Sequence, residues 1–152
     1  MPFPEQGYSV DLYNEDYTGM LSNFIPFKEL GNDFVDIFEG HRRLERLEKI
    51  FGKKGTLLDI GCGPGNLACV ARERGWHAMG LEINEGSACF ARKINKVEVV
   101  VGKIQDYTAL WIGRFDVVHF NQVLEHTYDP SSFLKAVRQV IICLLKKTNR
   151  HT

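Results

Sequence analysis

Leu58-Asp59-Ile60-Gly61-Cys62-Gly63-Pro64-Gly65 sets a short apolar run directly against three glycines at alternate positions. The run begins at Thr56 and reads as a buried strand, with the glycines marking the tight turn that follows it. Beyond the turn, Leu67, Val70 and Ala71 fall on one helical face, which Gly75 ends. The alternation continues outward. His77–Leu81 is a second strand, Glu85–Lys96 a helix, Val97–Val101 a third strand and Phe115–Phe120 a fourth. Asp129-Pro130 joins an N-cap residue to a proline at the first helical position, and so opens a last helix carrying Phe133, Leu134, Val137, Val140, Ile141 and Leu144. Strands spaced by helices imply βαβ units and a parallel sheet covered on both faces. The predicted class is α/β.

Ahead of the first strand, Asn32 or Asp33 offers an N-cap, and Phe34, Ile37, Phe38, His41, Leu44, Leu47 and Phe51 follow at steps of three or four. That spacing predicts an amphipathic helix, closed by Gly52 and Gly55. Residues 1–31 are aromatic, acidic and turn-rich, with no clear period. The 152 residues are 44% hydrophobic and 25% charged, enough for one compact domain with its own core. Nineteen Lys and Arg balance nineteen Asp and Glu, so no overall electrostatic footprint for nucleic acid or anionic lipid exists. Cys62, Cys69, Cys89 and Cys143 form no metal-ligand spacing, and reduced cysteines in a cytoplasmic protein are expected. Neither a signal peptide nor a membrane span is legible, and no metal site is expected.

The glycine loop lies where the first strand hands over to the first helix, the place at which open parallel sheets bind ligands. Alternate glycines let backbone approach a ligand and leave N–H groups free to meet it. Glu82, at the end of the second strand, follows Gly65 by 17 residues and can accept both hydroxyls of a ribose. Loop and acid together indicate a nucleoside-containing ligand. Dinucleotide binders want G-x-G-x-x-G, whereas here the third glycine is one position early and Asn66 occupies the last position of that pattern. Asp59, leading into the loop, would repel a phosphate and suits a cationic ligand.

These residues resemble the class I S-adenosylmethionine (SAM)-dependent methyltransferases, within the broad group that includes the ubiquinone and menaquinone biosynthesis methyltransferases. Leu58–Gly65 is similar to that family's first motif and Leu81-Glu82-Ile83 to its acidic second motif. Phe115-Asp116-Val117-Val118, Asn121-Gln122-Val123-Leu124-Glu125-His126 and Asp129-Pro130 resemble the segment around its fourth strand. The likeness covers about residues 40–142 and implies a Rossmann-like sheet with a helical N-terminal extension. It divides the chain into a lid or extension at 1–31 and a SAM-binding domain at 32–152. By the resemblance, Gly61, Cys62, Gly63 and neighbouring backbone enclose the methionine portion of SAM, and Asp59 holds its ammonium directly or through water. Glu82 takes the ribose, Ile83 packs on the adenine, Ile104 and Gln105 lie beside its edge, and Asn121 and Gln122 border the transferable methyl. Many relatives carry Asp directly after the glycine that closes the third strand. This chain has Lys103, so a base-edge acceptor is expected from Gln105 or Asp106.

The expected function is methyl transfer from SAM to a small-molecule acceptor, leaving S-adenosylhomocysteine (SAH). Catalysis there rests on holding donor and nucleophile in line, so no indispensable catalytic side chain is expected. His126 is the candidate base, set against a role in bonding backbone near Asp129. His119, inside a strand, reads as packing. Relatives continue past the last helix with three further strands; by the resemblance the domain is expected to be incomplete at its C-terminus, either as a fragment or with an exposed edge at the fourth strand and a homodimer through it. Two rivals remain at this level: a non-catalytic SAM- or SAH-binding module of the same fold, and a nicotinamide-dependent oxidoreductase.

Overall fold

The computed structural model describes residues 33–142, with side chains from Phe38 onward. The N-terminal segment 1–31, with the lid expected of it, and the tail with Cys143 lie outside the described residues. Helix α1 spans Asp33–Phe51, and β1, Thr56–Ile60, follows. The chain then alternates α2 (Asn66–Glu73), β2 (His77–Glu82), α3 (Glu85–Lys93), β3 (Val99–Val101), α4 (Ile104–Tyr107) and β4 (Val117–Phe120). A single 3-10 turn at Leu124–His126 precedes α5 (Pro130–Val140). The strands run parallel in the order β3-β2-β1-β4. A strand order that reverses beside β1 creates a switch point, and the glycine loop leaves the sheet there.

Successive residues of β1 serve opposite faces. Leu57 packs with Leu44, Leu67, Val70, Trp76 and Ala88 beneath α1, α2 and α3. Leu58 packs with Met79, Trp111, Phe115, Phe133 and Val137 beneath α4 and α5. Both leucines are fully buried, which is why the strand reads as a continuous apolar run rather than an alternating one. Asp116 locks the start of β4 to the start of β1. Its Oδ2 accepts the Thr56 N–H (2.8 Å) and hydroxyl (2.9 Å), and its own N–H returns to the Thr56 carbonyl at 3.0 Å. The Phe-Asp pair of the sequence motif thus sets strand alignment.

Side chains cap two helix starts, and the Asp129 cap is the one the sequence signalled. Asp129 Oδ1 caps α5 through Ser132 N–H (3.0 Å), and Asn84 Oδ1 caps α3 through Ser87 N–H (2.9 Å). The last helix departs from expectation. It stops at Val140 rather than continuing through Leu144, and Ile141 turns extended, bridging in parallel to Phe115. Its successor gives its N–H to the Phe115 carbonyl (2.8 Å), a pairing suited to two consecutive β-branched isoleucines. The chain just ahead of β4 is thus bridged to the segment that follows α5. Leu134, expected on the core face, is 46% exposed. The third strand is shorter than expected and α3 ends at Lys93, with Val97 buried in the turn between them.

Glu48 ties α1 to the far end of α2. Its carboxylate accepts from Arg74 Nε (3.0 Å) and Nη2 (2.6 Å) and from Trp76 Nε1 (3.1 Å). The Arg74 hydrogen bonds draw its pKa from 4.5 down to about 2 against the opposing effect of burial, with Trp76 adding to the fall. The folded state therefore holds this proton less tightly than the unfolded chain. Its contribution is complete above pH 4.5 and fades as pH drops toward 2. Urea unfolding of Glu48→Gln should show lower stability than the parent at pH 7 and a shallower loss of stability between pH 4.5 and 2. Identical acid profiles would show that this contact contributes nothing.

Candidate functional site

The three loop glycines have left-handed backbone, φ 69° at Gly61, 52° at Gly63 and 81° at Gly65. At Gly61 a side chain is also excluded by space, because a Cβ would meet Val123 Cγ2 at 2.5 Å. Backbone there passes directly against the segment that follows β4. Below the loop, the Cys62 side chain fills the volume over Gly80 of β2. A Cβ at residue 80 would overlap the sulfur and stand 3.0 Å from the Cys62 Cβ and 3.2 Å from Val99 Cγ2. The loop is seated on β2 by that contact.

Glu82 joins the two from above. Although only 8% exposed, its carboxylate is satisfied: Oε2 accepts the Gly63 N–H (2.8 Å) and Oε1 the Asn84 N–H (2.9 Å). A carboxylate offers about four acceptor positions, and these bonds use two. The other two suit a vicinal pair of hydroxyls. Beside this group opens a cavity of about 480 Å³, within the ordinary range for a small-molecule pocket.

Its walls come from the carboxyl ends of all four strands. Gly61 and Gly63 follow β1; Glu82 and Ile83 close β2; Lys103, Ile104 and Gln105 follow β3; Asn121 and Gln122 follow β4. Eight of the ten residues expected to hold a cofactor thus share one cavity. His126, on the 3-10 turn, lines it as well. Gln122 is held at φ 53°, unusual for a residue with a side chain, in the turn that carries the chain out of β4.

Asp59 and Cys62 are not in the wall. Asp59 is buried behind the loop, its Oδ1 2.7 Å from His119 Nδ1. Cys62 is buried over Gly80, and burial, with the charges of Asp59 and Glu82 adding, pushes its thiol far up. Cys62 therefore stays a neutral packing group. Asp106, one of two expected base-edge acceptors, spends its Oδ2 on the Lys103 N–H (3.0 Å) at the start of α4. Gln105 and not Asp106 reaches the cavity.

Sequence reasoning missed the outer wall. Thr127, Tyr128 and Asp129, between the 3-10 turn and α5, line the cavity together with Phe133 of α5, and Tyr128 is 84% exposed. An aromatic just ahead of a helix-opening Asp-Pro was the available signal. Asn95 was missed too: its side-chain amide donates to the Pro64 carbonyl (2.7 Å) and steadies the loop from the turn after α3. Among the described residues, no cluster of three or more His, Cys, Asp or Glu is arranged to hold a metal ion, and no helix is long and apolar enough to cross a membrane.

A family model described as a methyltransferase domain matches residues 35–147. The chain belongs to this family. A ubiquinone biosynthesis O-methyltransferase of Escherichia coli O127:H6 is 35% identical over 102 residues, 64% of this chain and 42% of that one. The chain therefore spans less than half the length of this methyltransferase relative. Among solved structures, a SAM-dependent methyltransferase from Archaeoglobus fulgidus is 28% identical, with a TM-score of 0.55 over 66% of this chain and 46% of that one. Magnesium protoporphyrin IX methyltransferase from Synechocystis PCC 6803, solved with bound SAH, shares the fold at 19% identity, with a TM-score of 0.60 over 86% of this chain and 65% of that one. The parallel sheet between helices is the Rossmann-like class I methyltransferase fold.

The Gly80 contact is directly testable. Gly80→Ala should lower stability by about 1–3 kcal/mol through overpacking, and Cys62→Ala in the same chain should restore part of that loss. Thermal unfolding of the parent, the single variants and the double variant measures it. An unchanged midpoint for Gly80→Ala would show that the loop is not seated this way.

Proposed function

We propose that this chain binds SAM in the cavity beside Glu82 and serves methyl transfer to a small-molecule acceptor. The observation that carries the reading is the Glu82 carboxylate. It is buried, fixed by two backbone N–H groups, and has acceptor capacity left over at the mouth of a bare glycine loop. The residues present fit the cofactor. Glu82 would take the ribose hydroxyls, Ile83 the adenine face, and Ile104 and Gln105 the base edge. Gly61, Gly63, Asn121 and Gln122 would flank the methionine portion, with Asp59 behind the loop supplying negative charge toward its ammonium and Cys62 packing beneath. When bound, SAM supplies an already activated methyl group.

The protein then has three tasks: to align the acceptor, to exclude water and to receive a proton where the nucleophile carries one. His126 lines the cavity and is the candidate for that proton. The relatives named as O-methyltransferases favour an oxygen nucleophile. Residues 1–31 as a lid over a domain at 32–152 belong to the same proposal. So does homodimerisation along β4, which stands last in the strand order. Balanced charge favours small-molecule over polyanionic partners, and three free cysteines among the described residues suit a reducing, cytoplasmic setting.

Calorimetry with SAH tests the binding step. The parent should bind one equivalent, and Glu82→Gln should weaken binding by about 1–3 kcal/mol through lost charged hydrogen bonds. Binding of NADH without SAH would overturn the reading. His126→Gln should lower methyl transfer about a hundredfold while leaving SAH affinity unchanged; equal turnover would remove His126 from the chemistry.

A further inference from the structure

The glycine loop's leading acid does not face the cavity directly, and what holds it is a histidine that strand patterning assigns to packing. In the sheet, Asp59 is flanked in register by Gly80 on β2 and His119 on β4. Neighbours in register on parallel strands point to the same face, so the three positions form a row across the sheet. Gly80 contributes no side chain, and the space above it is taken by the neutral thiol of Cys62. On the other flank, His119 Nδ1 lies 2.7 Å from Asp59 Oδ1, with the histidine side chain 19% and the carboxylate side chain 6% exposed. One residue further along each strand, Ile60 and Phe120 are again partners, and the next residues, Gly61 and Asn121, both line the cavity. The pair thus lies two residues before the cavity-lining Gly61 and Asn121 along its two strands.

We propose that His119 is a positioning residue for cofactor binding: its Nδ1–H fixes the Asp59 carboxylate so that the second oxygen serves the ammonium group of the bound sulfonium amino acid. This rests on the reading of the cavity as a SAM site. A carboxylate this deeply buried must be hydrogen-bonded to stay charged, and it must stay charged to attract a cation. An imidazole that donates from Nδ1 satisfies one oxygen and leaves the other for the ligand. A lysine or arginine in that place would stabilise the carboxylate equally well and repel the ligand. The ammonium is reached directly or through one water, since Asp59 lies behind the loop rather than in the cavity wall.

The test separates the amino-acid end of the ligand from its nucleoside end. Binding of SAH and of 5′-methylthioadenosine, which keeps the adenosine and the sulfur but lacks the amino acid, is measured by calorimetry for the parent, His119→Phe and His119→Asn. The parent should bind both ligands. His119→Phe, which keeps bulk and loses the donor, should weaken SAH about tenfold and change 5′-methylthioadenosine by less than twofold. His119→Asn, which restores an N–H near the same place, should recover most of the SAH affinity. Unchanged SAH binding by His119→Phe, or an equal loss for both ligands, would overturn the proposal, the second because it marks a role in strand pairing alone. If His119→Phe does not fold, the imidazole 15N shifts of His119 in the parent decide the matter. They should move on adding SAH and stay fixed on adding 5′-methylthioadenosine, and the same response to both would overturn it. A parent that binds neither ligand would sink the SAM reading itself and this inference with it.

Discussion

A buried carboxylate that accepts backbone N–H groups from two different segments is the constraint on which this site is built. Glu82 stands at the end of β2 and takes one hydrogen from the glycine loop at Gly63 and one from the entrance to α3 at Asn84. Without both, a charge so little exposed would carry an unpaid desolvation cost of several kcal/mol. With both, the loop after β1 and the loop after β2 become one rigid rim. The packing of Cys62 over Gly80 supports that rim from below, and Asn95 tethers its outer turn through the Pro64 carbonyl. The carboxylate still has lone pairs to offer, so the group that organises the rim is also the group that can read a ligand.

The two sheet faces divide the labour. One face buries α1, α2 and α3, with Leu57 and Val70 at its centre, and carries the Asp59–His119 pair toward the loop. The other buries α4 and α5, with Trp111 stacked on Tyr107 and edge-on to Phe115, and forms the cavity floor through Ile60, Leu81 and Phe133. A ligand at the rim therefore rests on one core while its charged end is addressed from the other. Parallel strands put all four loops at the same end of the sheet, which brings residues as far apart in sequence as Gly61 and Tyr128 to one cavity.

Much of this was legible in the sequence because it rests on local signals. The apolar runs located the strands, Asp129 marked a helix start, and alternate glycines located the loop. Resemblance then supplied the cavity residues from Gly61 to Gln122. What stayed hidden depends on register and on competition for the same group. Nothing local says that Asp59 and His119 are neighbours, since only the β1–β4 pairing brings residues 60 positions apart together. Asp106 and Gln105 look equivalent as acceptors until helix capping claims Asp106. Ile141 continues a helical pattern, yet the Phe115 carbonyl draws its neighbour's N–H into a strand-like bridge.

A crystal structure of the chain grown with SAH addresses the central claim most directly. The account requires both ribose hydroxyls to lie on the Glu82 carboxylate while its bond from Gly63 persists, with the adenine between Ile83 and the start of α4. Ligand density elsewhere on the molecule, or a Glu82 side chain swung away from the glycine loop to make room, would contradict it.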